Sequence, residues 1–276
     1  MKIEKIGIIG GKGSMGKWFH GFFRDQGYEV LISDLETRRT NADIARECDV
    51  VILSTPIEEA VKIAGQIGPG LTVSQIFMDF CSQKEDIVKA MVAHSRAEVV
   101  GTHPMFGPFT ASIKGQNIIL SRGRGEKGFD WIRSVLSSAG ARVTELDGTD
   151  HDRHMALVQG LTHFNTICMA RVLQKMNRHP KDVLSISTPI FRINSDLMGR
   201  LFAQDSDLYT TLIGGNKYLK EVLSLFIESL EEGKDAFVRG DHQSGVDFIQ
   251  EISEFIGEYK EEALNRSNAF LDILFD

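Results

Sequence analysis

The chain has 276 residues, 42% hydrophobic and 25% charged, enough for two modest domains with real cores. A formal net charge of −7 without any lysine- or arginine-rich cluster argues against a nucleic-acid surface, and no apolar run approaches the roughly 18 residues of a membrane span. Cys48, Cys81 and Cys168 lie far apart with no CxxC pair, which suits neither a disulfide framework nor a zinc site and fits a reducing cytoplasm.

In chain order, "KIGIIG" (5–10) reads as a strand rather than a signal sequence, and "MGKWFHGFFRDQG" (15–27) as a helix closed by a glycine. Further strands are expected at 28–34, 49–55, 71–80 ("LTVSQIFMDF"), 97–103, 117–122 and 141–147, with helices over 56–67 and 126–140 between them. Strands alternating with helices predict an α/β fold, a Rossmann-type, doubly wound, mostly parallel sheet. After "DGTD" (147–150) the alternating β-branched runs give way to long amphipathic patterns such as "KYLKEVLSLFIESLEEGKDAF". A dinucleotide-binding domain over 1–148 and an all-helical domain over 149–276 are expected, the helices covering their apolar stripes with one another or with a second subunit.

The first strand runs into Gly11-x-Gly13-x-x-Gly16, which opens a helix at Ser14 and Met15. A tight turn, close approach of a pyrophosphate and close helix–strand packing each require a glycine there, and the helix N-terminus faces the phosphate charge. Asp34 ends the second strand, eighteen residues past Gly16, where a carboxylate can accept the ribose hydroxyls of NAD. Arg38 and Arg39 follow and keep NADP open as an alternative. Ser54, Thr55 and Pro56 end the third strand and are expected beside the same cofactor.

In "VVGTHPMFGP" (99–108) a strand-like run stops at Gly101, and His103 is then followed by Pro104 and Pro108, which predict a rigid turn. "MDFCSQKED" (78–86) ends another strand and brings Ser82 and Lys84 to the same sheet edge, with Ser82 within reach of His103 or capping the helix that starts near Lys84. "HDRH" (151–154) has no third ligand beside it and reads as polarity at a helix start, so no metal site is expected.

Taken together, "GTHPMFGP", "DFCSQK", "HDRHMALVQGLTHF" and "STPIFRINSDLMGRLFAQDSDLY", in that order behind the glycine loop, resemble the prephenate dehydrogenases of tyrosine biosynthesis. The resemblance is closest to the dehydrogenase part of bifunctional chorismate mutase–prephenate dehydrogenases; the mutase part finds no room, because the glycine loop begins within ten residues of the N-terminus. It implies an NAD-dependent oxidative decarboxylation of prephenate to 4-hydroxyphenylpyruvate, with His103 as the catalytic histidine and Ser82 positioning it. It further implies His163 as a second active-site histidine, Arg200 as the holder of a substrate carboxylate, Arg192 and Lys84 as supporting basic residues, and a homodimer built through 151–276. Arogenate is the alternative substrate, and a β-hydroxyacid-type dehydrogenase or an NAD-sensing regulator are the alternative readings.

Overall fold

A computed structural model describes residues 2–275 and divides the chain into two compact units, Met1–Met155 and Ala156–Asp276. In the first, strands and helices alternate: β1 (Lys5–Ile9), α1 (Ser14–Asp25), β2 (Glu29–Ser33), α2 (Asn41–Glu47), β3 (Val50–Leu53), α3 (Ile57–Ile67), β4 (Ile76–Asp79), α4 (Glu85–His94), β5 (Glu98–Pro104), β6 (Asn117–Arg124), α5 (Lys127–Ser138), β7 (Arg142–Glu145) and α6 (Gly148–Met155). The sheet order is β2-β1-β3-β4-β5-β6-β7, parallel throughout except where β6 runs antiparallel to β5.

The central strands are continuous apolar runs because both of their faces are covered. Ile6, Ile8, Val50, Ile52, Ile76 and Met78 point to one face, where Phe19 and Phe23 of α1 and Phe129 and Ile132 of α5 pack. Ile9, Val51, Leu53 and Phe77 point to the other, against Ile44 of α2, Ala60 of α3 and Met91 of α4. Period-two alternation thus feeds two cores from one sheet.

The structure corrects three expectations. Only Ile76–Asp79 of the run 71–80 is strand: Thr72 and Gln75 close a turn first, with the Thr72 N–H donating to Gln75 Oε1 at 2.9 Å and the Gln75 N–H to the Thr72 carbonyl at 3.1 Å. The rigid turn expected at His103 is not there: the strand expected over 97–103 runs through it to Pro104, because β6 returns alongside and pairs His103 with Ile119 and Pro104 with Ile118. Residues 149–155, expected in the helical half, group with the first unit.

The second unit opens with a π-helical turn, Ala156–Leu161, that leads into α7 (Thr162–Lys175), a short α8 (Pro180–Val183), α9 (Pro189–Phe202), α10 (Ser206–Gly214), α11 (Leu219–Lys234), α12 (His242–Ile256) and α13 (Tyr259–Phe275). Thr188 caps α9 ahead of Pro189, and Asp241 caps α12 by accepting the Ser244 N–H at 2.9 Å. Among the described residues, no helix is long and apolar enough to cross a membrane.

Candidate active site

Strand order reverses at β1, whose neighbours are β2 on one side and β3 on the other, so a crevice opens at the carboxyl ends of β1 and β3. The glycine loop forms one wall and Ser54–Pro56 the other. Gly10 turns the chain there with a φ of +82°, and a Cβ on it would lie 2.4 Å from the Ser54 carbonyl oxygen. A Cβ on Gly16 would strike the Gly10 carbonyl at the same 2.4 Å, so α1 can sit on the loop only because residue 16 has no side chain. Gly13 precedes α1 without a side-chain cap, and the first turn, starting at Ser14 and Met15, carries no acid, which leaves its N–H groups for an anion. Thr55 Oγ1 is buried there with no hydrogen-bond partner among the described residues. A cradle closed to side chains, N–H donors and an unsatisfied hydroxyl fit a dinucleotide.

Asp34 follows β2 directly. Its Oδ2 accepts the Lys12 N–H of the glycine loop at 2.8 Å and its Oδ1 the Leu35 N–H at 2.8 Å, which fixes the carboxylate beside the loop while each oxygen keeps a further lone pair. Arg39 is engaged with Glu47 at 3.3 Å, and Arg38 is exposed.

His103 stands near the end of β5, beside β4, and is 3% exposed. Its Nδ1 pairs with Nε2 of His151 at 2.8 Å, and Nδ1 of His151 pairs with Asp152 Oδ1 at 2.7 Å. The Asp152 carboxylate also accepts the backbone N–H groups of Lys84 (2.7 Å) and Glu85 (3.0 Å), so a residue of α6 caps α4. That cap replaces the one expected of Ser82, which makes no hydrogen bond to any described residue; the expected Ser82–His103 bond is absent because His151 takes Nδ1. Lys84, expected among the residues that meet substrate, is fully buried and ion-paired with Asp79, which also accepts the Cys81 N–H at 2.8 Å. Burial, then the neighbouring His151 and Lys84, holds His103 well below the usual imidazole range. Burial lowers His151 as well, against the pull of Asp152. The loop beyond His103 is fastened to α1: the Trp18 indole N–H donates to the Thr110 carbonyl at 2.7 Å, and the Phe106 ring meets the Trp18 ring edge-on at 5.0 Å.

In the second unit, His163 follows the π-helical turn and sets its ring 5.0 Å from that of Tyr209, edge to face. Gln204 donates to the Tyr209 hydroxyl at 2.9 Å and to the Arg200 carbonyl at 3.0 Å. Burial raises Tyr209, and the charge of Arg200 acts against it. His163, Gln204, Tyr209 and Arg200 therefore form one neighbourhood; Arg192 lies two turns earlier on α9 and is exposed.

Sequence reasoning missed His151 and Asp152. Their signal is the adjacent "HD" itself, which without a third ligand reads as polarity at a helix start.

A family model described as the nucleotide-binding domain of prephenate dehydrogenase matches residues 25–145, and one described as its dimerization domain matches 147–254. The T-protein of Haemophilus influenzae is 32% identical over 270 residues, covering 98% of this chain and 71% of that protein. A probable arogenate/prephenate dehydrogenase of Methanocaldococcus jannaschii is 30% identical, covering 91% of this chain and 61% of its own length. Among solved structures, a prephenate dehydrogenase from A. aeolicus, in complex with hydroxyphenyl propionate and NAD+, has a TM-score of 0.73 at 20% identity and covers 91% of this chain and 96% of that one. Synechocystis arogenate dehydrogenase has the same TM-score, 0.73, at 17% identity, over 94% of this chain and 99% of that one.

Proposed function

The chain belongs to the prephenate dehydrogenase family, and on that premise we propose that it oxidises prephenate with NAD, releasing carbon dioxide and 4-hydroxyphenylpyruvate. The observation that carries this reading is His103, a buried imidazole kept uncharged at the end of a central strand. NAD, when bound, supplies the hydride acceptor. The ring carbon that gives up the hydride cannot become a carbonyl unless its hydroxyl proton departs, and a neutral histidine is suited to take it. Loss of carbon dioxide then turns the carbonyl into a phenol, and His103 returns the proton to that oxygen. Aromatisation drives the step, so the protein supplies a base, orientation and charge recognition.

The cofactor is assigned to Gly11, Gly13, Ser14, Met15 and Gly16 at its pyrophosphate, to Asp34 at its ribose, and to Ser54, Thr55 and Pro56 along its flank. Asp34 would face the 2′-phosphate of NADP with like charge, which favours NAD. Ser82 keeps a proposed role beside His103, with its hydroxyl offered to substrate. For the substrate's carboxylates the proposed holder is Arg200, whose planar guanidinium grips a carboxylate through two bonds, with Arg192 and His163 in support. Lys84 acts through its buried charge on the two histidines.

Residues 151–276 are proposed to form a homodimer, because α11–α13 leave Leu225, Leu230, Phe255 and Leu264 exposed. The three free cysteines accord with a cytoplasmic enzyme of tyrosine biosynthesis. The test is reduced-cofactor formation with prephenate and with arogenate, each paired with NAD and with NADP. Turnover of prephenate with NAD is expected to be the fastest of the four. No turnover in any pairing rejects the function, and faster turnover of arogenate reassigns the substrate.

A further inference from the structure

We propose that His151 and Asp152 are a positioning pair that holds His103 in one tautomer, hydrogen on Nδ1 and lone pair on Nε2, so that Nε2 is the atom that accepts the substrate proton. The inference rests on the reading of His103 as the base, and it adds which nitrogen acts and what decides it.

Asp152 ties the pair to the start of α4. Its two oxygens accept the Lys84 and Glu85 backbone N–H groups at 2.7 and 3.0 Å. Oxygens engaged as acceptors of two backbone N–H groups act as acceptors toward the ring as well. The 2.7 Å contact with His151 Nδ1 therefore requires hydrogen on that nitrogen. A neutral imidazole carries one N–H, so His151 Nε2 is left with its lone pair. That nitrogen lies 2.8 Å from His103 Nδ1, and the contact is a hydrogen bond only if His103 donates. With its hydrogen on Nδ1, His103 has its lone pair on Nε2.

The opposite arrangement, His103 Nδ1 accepting from His151 Nε2–H, requires both nitrogens of His151 to carry hydrogen. His151 would then be a cation at a site with no solvent exposure, close to the buried Lys84 ammonium. Burial and that neighbouring charge both oppose it. The pair is held from two sides. Asp152 is tied to the first turn of α4, and the His151 N–H donates to the Asp147 carbonyl at 2.8 Å inside α6. The His103 side is held by the β5–β6 ladder, and the two rings meet at 62° with centroids 5.0 Å apart.

The direct test is nitrogen NMR of the full chain labelled at its histidine imidazoles, with the His103 signals identified by their loss in His103→Asn. A protonated Nδ1 and a bare Nε2 are expected; hydrogen on Nε2 in the wild type overturns the proposal without recourse to any activity. His151→Phe removes the acceptor and should let the other tautomer appear in the His103 signals. It should lower kcat by about 10–100-fold while KM for NAD stays unchanged, the scale of losing an orienting partner and less than that of losing the base. His151→Gln, whose amide oxygen can accept the Nδ1 hydrogen, should recover much of the loss. An unchanged tautomer and unchanged kcat in His151→Phe reject the pair. Full turnover in His103→Asn would instead reject His103 as the base, a failure visible apart from the tautomer measurement.

Discussion

The two units of this chain treat their polar and apolar groups in opposite ways. The first places polar and charged groups inside: Asp79, Lys84, His103, His151 and Asp152 are all buried and bond to one another or to backbone groups. Its large exposed apolar side chains among the described residues are Leu35, Val73 and Phe109. The second leaves apolar groups outside, with Phe255 91% and Ile186 83% exposed, and its named functional candidates lie at or near the surface. A buried polar group is held in one geometry by every partner it needs, which suits a base that must be aimed. An exposed arginine on a helix can meet a ligand that arrives from solvent, and exposed apolar stripes call for a partner. The difference teaches where substitutions should act on chemistry and stability, and where on binding and assembly.

The buried cluster should respond most strongly to a change at His103. His103→Asn is expected to lower kcat by about 10²–10⁴-fold, the scale of losing a general base, while binding of NAD followed by calorimetry persists. Comparable turnover in the variant would remove chemistry from the buried cluster altogether. Lys84→Met leaves Asp79 buried without its cation and should lower unfolding stability by about 3–5 kcal/mol, read from urea midpoints. Pairing it with Asp79→Leu should recover part of the loss, because a well-packed apolar pair replaces a buried ion pair at little cost.

On the exposed side, Arg200→Ala is expected to raise KM for prephenate by roughly a hundredfold with the fold intact, about 2–3 kcal/mol for a lost charge partner. Lysine at 200 should rescue poorly, since it has no planar fork. An unchanged KM would move the carboxylate holder to Arg192. The smallest effect is a slope. Burial lowers His103, His151 and His163 in the folded chain, so their contribution to stability is complete above the ordinary imidazole value. It is lost as pH falls from about 6.5 toward their lower folded values, at most about 1.4 kcal/mol per pH unit for each group. Urea unfolding at several pH values between 7.5 and 5 should show the decline, and His103→Asn should flatten it by about one proton; an unchanged slope would mean that His103 is not held neutral.

The sheet was largely legible because parallel strands covered on both faces must be continuous apolar runs, and glycines at a turn between strand and helix leave few other meanings. Seven strands were expected and seven are found among the described residues. What escaped is long-range. The expectation of a turn at His103 came from the prolines that follow it, whereas β6, which holds it as a strand, lies 16 residues on, from Ile119. His151 is 48 residues from His103, and Asp152 is 68 from the backbone it caps; neither separation leaves a local period. Ser82 suggests a cap because it is near Lys84 in sequence and a partner because neighbouring strand ends bring it toward His103, but Asp152 holds the first place and His151 the second.

The position of that carboxylate also bears on how the two halves can be inherited. The last strand of the sheet ends at Glu145, and the nucleotide-binding family model ends at the same residue. Asp152 and His151 lie beyond that point, in the stretch matched by the second family model, yet they cap α4 and bind the histidine of the first. A genetic crossover between relatives at residue 146 would bring together His103 and its hydrogen-bonded neighbours His151 and Asp152 from different histories. One placed after Met155 would carry all three as a set. Recombination in this family should therefore be tolerated a few residues later than the edge of the sheet suggests, with the helix from Gly148 to Met155 travelling as part of the nucleotide-binding half.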